Sequence, residues 1–346
     1  MRRTAQRLRS VALLAVLLAF ALVAGSGCLG RSAPGVPAVL GGPSGVEFAG
    51  LTDWTNSEPL TLAAQREQRR VVLVDFWTYT CVNCIRTLPY LKQWQDRYAS
   101  VGLTIVGVHA PEFDFEHDPA NVRRAVEAEG IRYTHFGEGD YDATERAIRA
   151  ALTDAGRDVS AIPTGGLAAP ERDTGATITR ELYGGYERNF DTRGVYAAQR
   201  AYYGGPDQTH DYTDVTGQRD KDVWYLQGTW RGEREAIVHA RATTSLEDYL
   251  AFRFIARSVN VVMQPRTPGT PYEVVVELDG WPLKREEAGT DVRFDAAGRS
   301  LVTVDLPKMY GLVILPTLGD HELKLRSNSP DFAMYAVTFG AYTSGS

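Results

Sequence analysis

The sequence predicts two folded units in series, an alternating α/β domain followed by an all-β domain of sandwich or jelly-roll type. Three observations carry this reading. Buried-strand runs alternate with amphipathic helical segments across residues 48–156, and short β-branched and aromatic runs separated by turns fill residues 208–346. The length of 346 residues also suits two units, at roughly 100–200 residues per domain. Between them, residues 157–207 carry Pro163, Gly165, Gly166 and Pro170 without periodicity and read as an irregular connector.

The chain opens on Arg2, Arg3, Arg7 and Arg9, followed by the apolar run 11–23 and then small residues up to Cys28. A basic start, a short apolar stretch and a small-residue exit mark residues 1–27 as a secretory signal peptide. The run is shorter than the roughly 20 residues that a membrane-spanning helix needs. Gly25-Ser26-Gly27-Cys28 is similar to a lipoprotein processing site, at which the cysteine becomes the lipidated first residue of the mature chain. Gly25 departs from the aliphatic residue usual there. The expected address is therefore extracytoplasmic, anchored to the cell membrane through lipid on Cys28, with residues 28–47 as a flexible Pro/Gly/Ala-rich tether. The formal net charge is −6, and removal of four arginines with the signal takes it to about −10. So acidic a body is a poor partner for nucleic acid.

Within the first domain, Val71–Trp77 is a β-branched and aromatic run of buried-strand length. Cys81 follows, and Ile85, Leu88, Leu91, Trp94 and Tyr98 then fall near one helical face. Residues 103–108 form a second buried strand. Asp118-Pro119 opens a helix that ends at Gly130, with a capping residue ahead of a first-turn proline. Asp142-Ala143-Thr144-Glu145 reads as a capping box for a further helix running to Gly156. In the second domain, strand-like runs occupy 236–240, 249–255, 259–263, 272–278, 301–304, 311–315, 322–325 and 332–339, with turns at Asp279-Gly280, Gly319-Asp320 and Asn328-Ser329-Pro330.

Three cysteines are present; one belongs to the export signal and the other two form Cys81-Val82-Asn83-Cys84. No structural disulfide framework is left to build. A thiol at the first turn of a helix is acidified by unpaired backbone N–H groups and the helix dipole, so Cys81 is the candidate nucleophile. Cys84, one turn deeper, is placed to attack a mixed disulfide on Cys81 and release the partner. A zinc site would need about four ligands, and no second Cys pair or closely spaced His pair exists, so no metal or other cofactor is expected beyond the dithiol.

The run Val71-Val72-Leu73-Val74-Asp75-Phe76-Trp77-Thr78-Tyr79-Thr80-Cys81-Val82-Asn83-Cys84, with Pro89 beyond it, resembles the active-site strand and helix of the thioredoxin family. The resemblance implies a thioredoxin-like α/β fold and places Asp75 as the buried carboxylate that exchanges a proton with the resolving thiol. It makes Trp77 the aromatic packed beside that carboxylate or thiol, and Pro89 the helix-kinking proline. A carboxylate at the end of a buried strand should have a raised pKa and could serve as a base near neutrality. His109-Ala110-Pro111-Glu112-Phe113 and Phe136-Gly137-Glu138-Gly139-Asp140-Tyr141 are more narrowly similar to the extracytoplasmic module of DipZ-type proteins, a TlpA-like redoxin domain followed by a carbohydrate-binding-module-like β-sandwich.

That resemblance implies a tethered thiol–disulfide oxidoreductase acting on proteins with disulfides and drawing electrons from a CcdA-like membrane partner. Glu112 would then be an acid near the dithiol, while His109 suits either a hydrogen-bonding loop residue or a tuner of the thiol. Trp224, Tyr225, Trp230 and Trp281 are candidates for stacking on a glycan, against the commoner role of strand aromatics as core. Copper delivery fits poorly, since copper chaperones of this type usually space their cysteines by three residues. The family places a strand, a helix and a cis-proline strand between the helix ending near Gly130 and the Phe136 motif, whereas here Gly130-Ile131 runs directly into Arg132 and no proline lies between Pro119 and Pro163. The α/β domain is thus expected to be shortened, and an adaptor that binds without turnover is the competing function.

Overall fold

The computed structural model describes residues 47–342 apart from 52, 130–140, 168–176, 189 and 192–193. The signal peptide, Cys28, nearly all of the tether, and the stretch where the cis-proline segment would insert lie outside the described residues.

The first half is built as helix α1 (Leu62–Glu67), strand β1 (Val71–Trp77), helix α2 (Val82–Tyr98), strand β2 (Leu103–His109), helix α3 (Pro119–Ala128) and helix α4 (Tyr141–Asp154). β1 and β2 pair in parallel, Asp75 opposite Gly107 and Trp77 opposite His109. A parallel pair needs a crossover, and α2 supplies it, burying Leu88, Leu91, Trp94 and Tyr98. Asp118 caps α3 through its side chain, with Pro119 in the first turn. The expected capping box at Asp142 is overturned. α4 already begins at Tyr141, and the Glu145 carboxylate instead accepts from Tyr98 Oη (2.6 Å), Arg97 Nη1 (3.1 Å) and Gly165 N (2.9 Å). A buried acid with three donors at hand has no reason to turn back to its own helix start.

In the second half the strands are β3 (Leu182–Tyr183), β4 (Phe190–Asp191), β5 (Gly194–Val195), β6 (Thr209–Tyr212), β7 (Trp224–Gly232), β8 (Ile237–His239), β9 (Tyr249–Met263) and β10 (Tyr272–Leu278). β11 (Trp281–Pro282), β12 (Arg293–Phe294), β13 (Ser300–Val304), β14 (Lys308–Arg326) and β15 (Ala333–Gly340) complete the chain. All but the β4–β5 hairpin join one 11-stranded sheet, ordered β12-β13-β10-β14-β9-β15-β8-β7-β6, with β11 on β10, β3 on β15, and β7 also on β9. The runs 249–255 and 259–263, expected as separate strands, are one strand. Residues 311–315 and 322–325 likewise merge into β14, so Gly319-Asp320 is no turn: register shifts between Gly311 and Val313 and between Ile314 and Gly319 absorb the irregular residues while pairing with β9 continues.

The stretch read as a connector is integrated into this half. Leu182, Tyr196, Ala197 and Tyr202 are buried in its core with Trp224, Trp230, Phe252 and Phe332. A second core unites the halves, because Trp77, Leu91, Trp94, Phe113 and Phe115 cluster with Ala236, Val238, Val262 and Tyr335. The Tyr335 ring stands edge-on to Phe113 (5.4 Å) and Phe115 (5.1 Å).

Candidate active site

Cys81 is the N-cap of α2, in extended conformation, and its sulfur accepts the Cys84 backbone N–H at 3.4 Å. The helix starts there because Thr78 to Cys81 turn sharply off β1, the Cys81 N–H bonding back to the Thr78 carbonyl at 3.2 Å. Both thiols are free and half-buried. The Cys81 pKa is lowered, first by a hydrogen bond from the Cys84 thiol and then by the backbone N–H groups of Cys84 and Asn83, against burial and the charge of Glu112. Cys84 moves strongly the other way, held up by that same hydrogen bond, by burial and by the charges of Cys81 and Asp75. One sulfur is poised to ionise and the other to keep its proton.

Asp75 is fully buried on β1, within electrostatic reach of Cys84. Trp77 is buried and stands edge-on to His109 at 5.5 Å, and Pro89 lies inside α2. Residues Asp75, Trp77, Cys81, Cys84 and Glu112 are therefore brought to one region. Two supports are not visible in the local sequence. Glu116, completely buried, accepts from the hydroxyls of Thr78 and Thr80 (2.6 Å for Thr80) and from the backbone N–H of Phe113 (2.9 Å) and of Glu112, so it pins the turn before Cys81 to the loop after β2. Arg188 ion-pairs with Glu112 and donates to its carbonyl at 2.7 Å.

A cavity of about 750 Å³ runs along β2, lined by Trp54, Leu60, Trp77, His109, Glu116 and Val126 among others. Of the four aromatics considered for a glycan, Trp224, Tyr225 and Trp230 are core residues and only Trp281 is exposed. Those three cannot stack on a sugar.

Residues 179–340 match the family described as thioredoxin-like C-terminal domain. The chain is thioredoxin-like. It is 30% identical over 198 residues to Protein DipZ of Mycobacterium tuberculosis, covering 46% of this chain and 28% of DipZ. It is 33% identical over 177 residues to Protein SUPPRESSOR OF QUENCHING 1 of Arabidopsis thaliana, covering 51% of this chain and 15% of that protein. With the Thiol-disulfide oxidoreductase YkuV of Bacillus subtilis it shares 26% identity over 102 residues, 29% of this chain and 65% of YkuV. The chain thus spans less than a third of the DipZ proteins it matches.

Proposed function

We propose that this protein is an extracytoplasmic thiol–disulfide oxidoreductase, tethered by lipid on Cys28, in which Cys81 attacks and Cys84 resolves. The observation that carries the proposal is the placement of the two sulfurs, Cys81 at the N-cap of α2 with its sulfur accepting the Cys84 N–H at 3.4 Å and Cys84 within the first turn, which favours the thiolate at the first and the thiol at the second. The Cys81 thiolate attacks a substrate disulfide, forming a bond to one substrate sulfur and expelling the other as a thiolate that takes up a proton. Cys84 then loses its proton to Asp75 and attacks the Cys81 sulfur; the Cys81–Cys84 disulfide forms and the second substrate thiol leaves. Two electrons pass from the dithiol to the substrate. Resetting the pair falls to a membrane electron donor of CcdA-like type. The likeness to the Thiol-disulfide oxidoreductase YkuV, 26% identical over 102 residues, supports this chemistry.

The sheet of this domain is read as shortened. β1 pairs with β2 alone among the described residues, and the 198-residue DipZ match draws on only 46% of this chain, as expected if DipZ carries a segment that is absent here. Turnover should therefore be slow and unselective, because among the described residues no further strand flanks β1 to receive a substrate backbone.

Insulin reduction tests the reading. Cys81→Ser should abolish it, and Cys84→Ala should accumulate mixed disulfides through Cys81 on a non-reducing gel. No exchange at all by the unmodified protein would favour the adaptor function, while trapping through Cys84 would reverse the two roles. The tether is tested separately, since Cys28→Ser should end lipid labelling and release the protein from the membrane fraction.

A further inference from the structure

The sulfurs sit in the first half of the molecule, yet the acid beside them is held from the second. β3 pairs antiparallel with β15, Tyr183 opposite Ala336. Gly184 N donates to the Tyr335 carbonyl (2.8 Å), Trp224 Nε1 donates to the Tyr183 carbonyl (3.1 Å), and Tyr202 Oη donates to the Gly184 carbonyl (2.5 Å). A Cβ on Gly184 would lie 2.1 Å from the Met334 carbonyl oxygen, so only glycine lets this strand lie so close to β15. The Tyr183 backbone is thereby fixed to a fully buried tryptophan and a core strand. Its hydroxyl reaches out between two carboxylates, donating to Glu181 Oε2 at 2.9 Å with Glu112 Oε1 at 3.5 Å. Arg188, its guanidinium carbon 5.1 Å from the Phe113 ring centre and 5.2 Å from that of Tyr183, grips Glu112 by side chain and carbonyl.

We propose that Glu181, Tyr183 and Arg188 are positioning residues of the redox centre, through which the C-terminal half governs the charge that Cys81 meets from Glu112. The proposal rests on Cys81 being the attacking thiol. Arg188 fixes and offsets the Glu112 carboxylate, whose charge opposes ionisation of Cys81. The Tyr183 hydroxyl has one proton to give. While Glu181 is ionised, that proton is directed to Glu181. Once Glu181 holds a proton of its own, it can donate to the Tyr183 oxygen, and the phenolic proton turns to Glu112. Burial pushes Glu181 up to about 7, with the charge of Glu112 adding to the shift and the Tyr183 hydrogen bond and Arg188 opposing it. The groups facing Glu181 are thus Tyr183, Glu112 and Arg188, and those facing Cys81 are Cys84 and Glu112. The exchange of hydrogen bonds falls near neutral pH, where a thiol reductase works.

The experiment measures the rate of iodoacetamide alkylation at Cys81, read by peptide mass, from pH 5 to pH 10 on the full-length reduced protein. The unmodified chain should show an inflection near the Glu181 titration in addition to that of the thiol. Tyr183→Phe and Glu181→Gln should each remove the additional inflection. Arg188→Gln should slow alkylation at pH 8 by roughly three- to tenfold, as expected when a neighbouring negative charge is uncovered, and Arg188→Lys should restore part of the rate. Near-UV circular dichroism matching the unmodified protein confirms that each variant is folded. Superimposable curves for all the folded variants would overturn the inference. Insulin reduction by the unmodified protein, measured in parallel, separates the two readings: curves that do not move in an active enzyme sink the positioning role alone, whereas an inactive protein with a responsive Cys81 sinks the oxidoreductase reading and leaves the electrostatic link standing.

Discussion

The two halves of this molecule solve the problem of burial differently. In the β half, Trp224, Trp230, Phe252, Phe254 and Phe332 are completely buried under one continuous sheet. In the α/β half, Val71, Val72, Leu73 and Val74 are only half-covered, Phe76 is 47% exposed, and a cavity runs along β2. The α/β half completes its core with side chains from the other, among them Val238, Val262, Ala333 and Tyr335. Arg86 on the active-site helix also lies 4.5 Å from the Tyr342 ring centre, near the end of the last strand. The dithiol thus rides on the looser part of the fold, buttressed by the denser part. Low local stability beside a reactive group is where opening for a substrate is least costly.

The largest effects should fall on stability. Trp224→Ala removes a fully buried indole together with its hydrogen bond to the Tyr183 carbonyl, and should cost about 3–5 kcal/mol. Val74→Ala, on a half-covered strand, should cost about 1 kcal/mol. Urea unfolding followed by tryptophan fluorescence gives both values. Equal losses would mean that the α/β half is packed as tightly as its neighbour and that the contrast drawn here is wrong.

A smaller and more local effect is expected at Asp75. Its carboxylate is buried within reach of Cys84, the thiol that would lose a proton in the second step of the proposed exchange. Asp75→Asn should slow release of the mixed disulfide on the order of a hundredfold while leaving its formation nearly unchanged. Stopped-flow measurement of each step checks this. Equal slowing of both would make Asp75 a structural residue and shift the burden of proton transfer elsewhere.

How much of this was legible follows from the range of the interactions. β1 and β10 were bounded correctly because an unbroken run of β-branched and aromatic residues writes its limits into consecutive positions, and the start of α3 because Asp118 and Pro119 act within one turn. β9 was split at Arg257 and Ser258, polar residues that look like a turn, although Ala256 and Ser258 keep pairing with Gly319 and Ile314. Glu145 was misread because its donors lie up to 48 positions away. The dithiol itself was plain from spacing. Its surroundings were not, since Glu116, Tyr183 and Arg188 act across 38, 71 and 76 positions and no local pattern announces them.

The smallest expected effect tests whether the looser half also opens first in acid. His109 ends β2, with its ring stacked on Tyr79 at 5.7 Å and Nε2 3.3 Å from Thr78 Oγ1. Burial pushes its pKa down, the Glu116 charge opposing and His117 adding to the shift. A histidine whose pKa is depressed by folding binds fewer protons folded than unfolded, so the stability it contributes is fully present above the unfolded value of about 6.5 and is lost as the pH falls from there toward the depressed folded value. His109→Gln, which cannot take up that proton, should lose less stability between pH 7.5 and pH 5 than the unmodified protein, measured by urea midpoints at the two pH values. Because the ring sits against the turn that leads to Cys81, the acid-induced loss should be local. In a Cys81→Ser background, Cys84 should exchange faster at pH 5 with a pyridyl disulfide, which forms a mixed disulfide on it and releases thiopyridone, while the tryptophan near-UV signal of the β half stays constant. Unfolding of both halves together at that pH, or an identical acid response in the variant, would show that the seam couples them too tightly for the redox half to yield by itself.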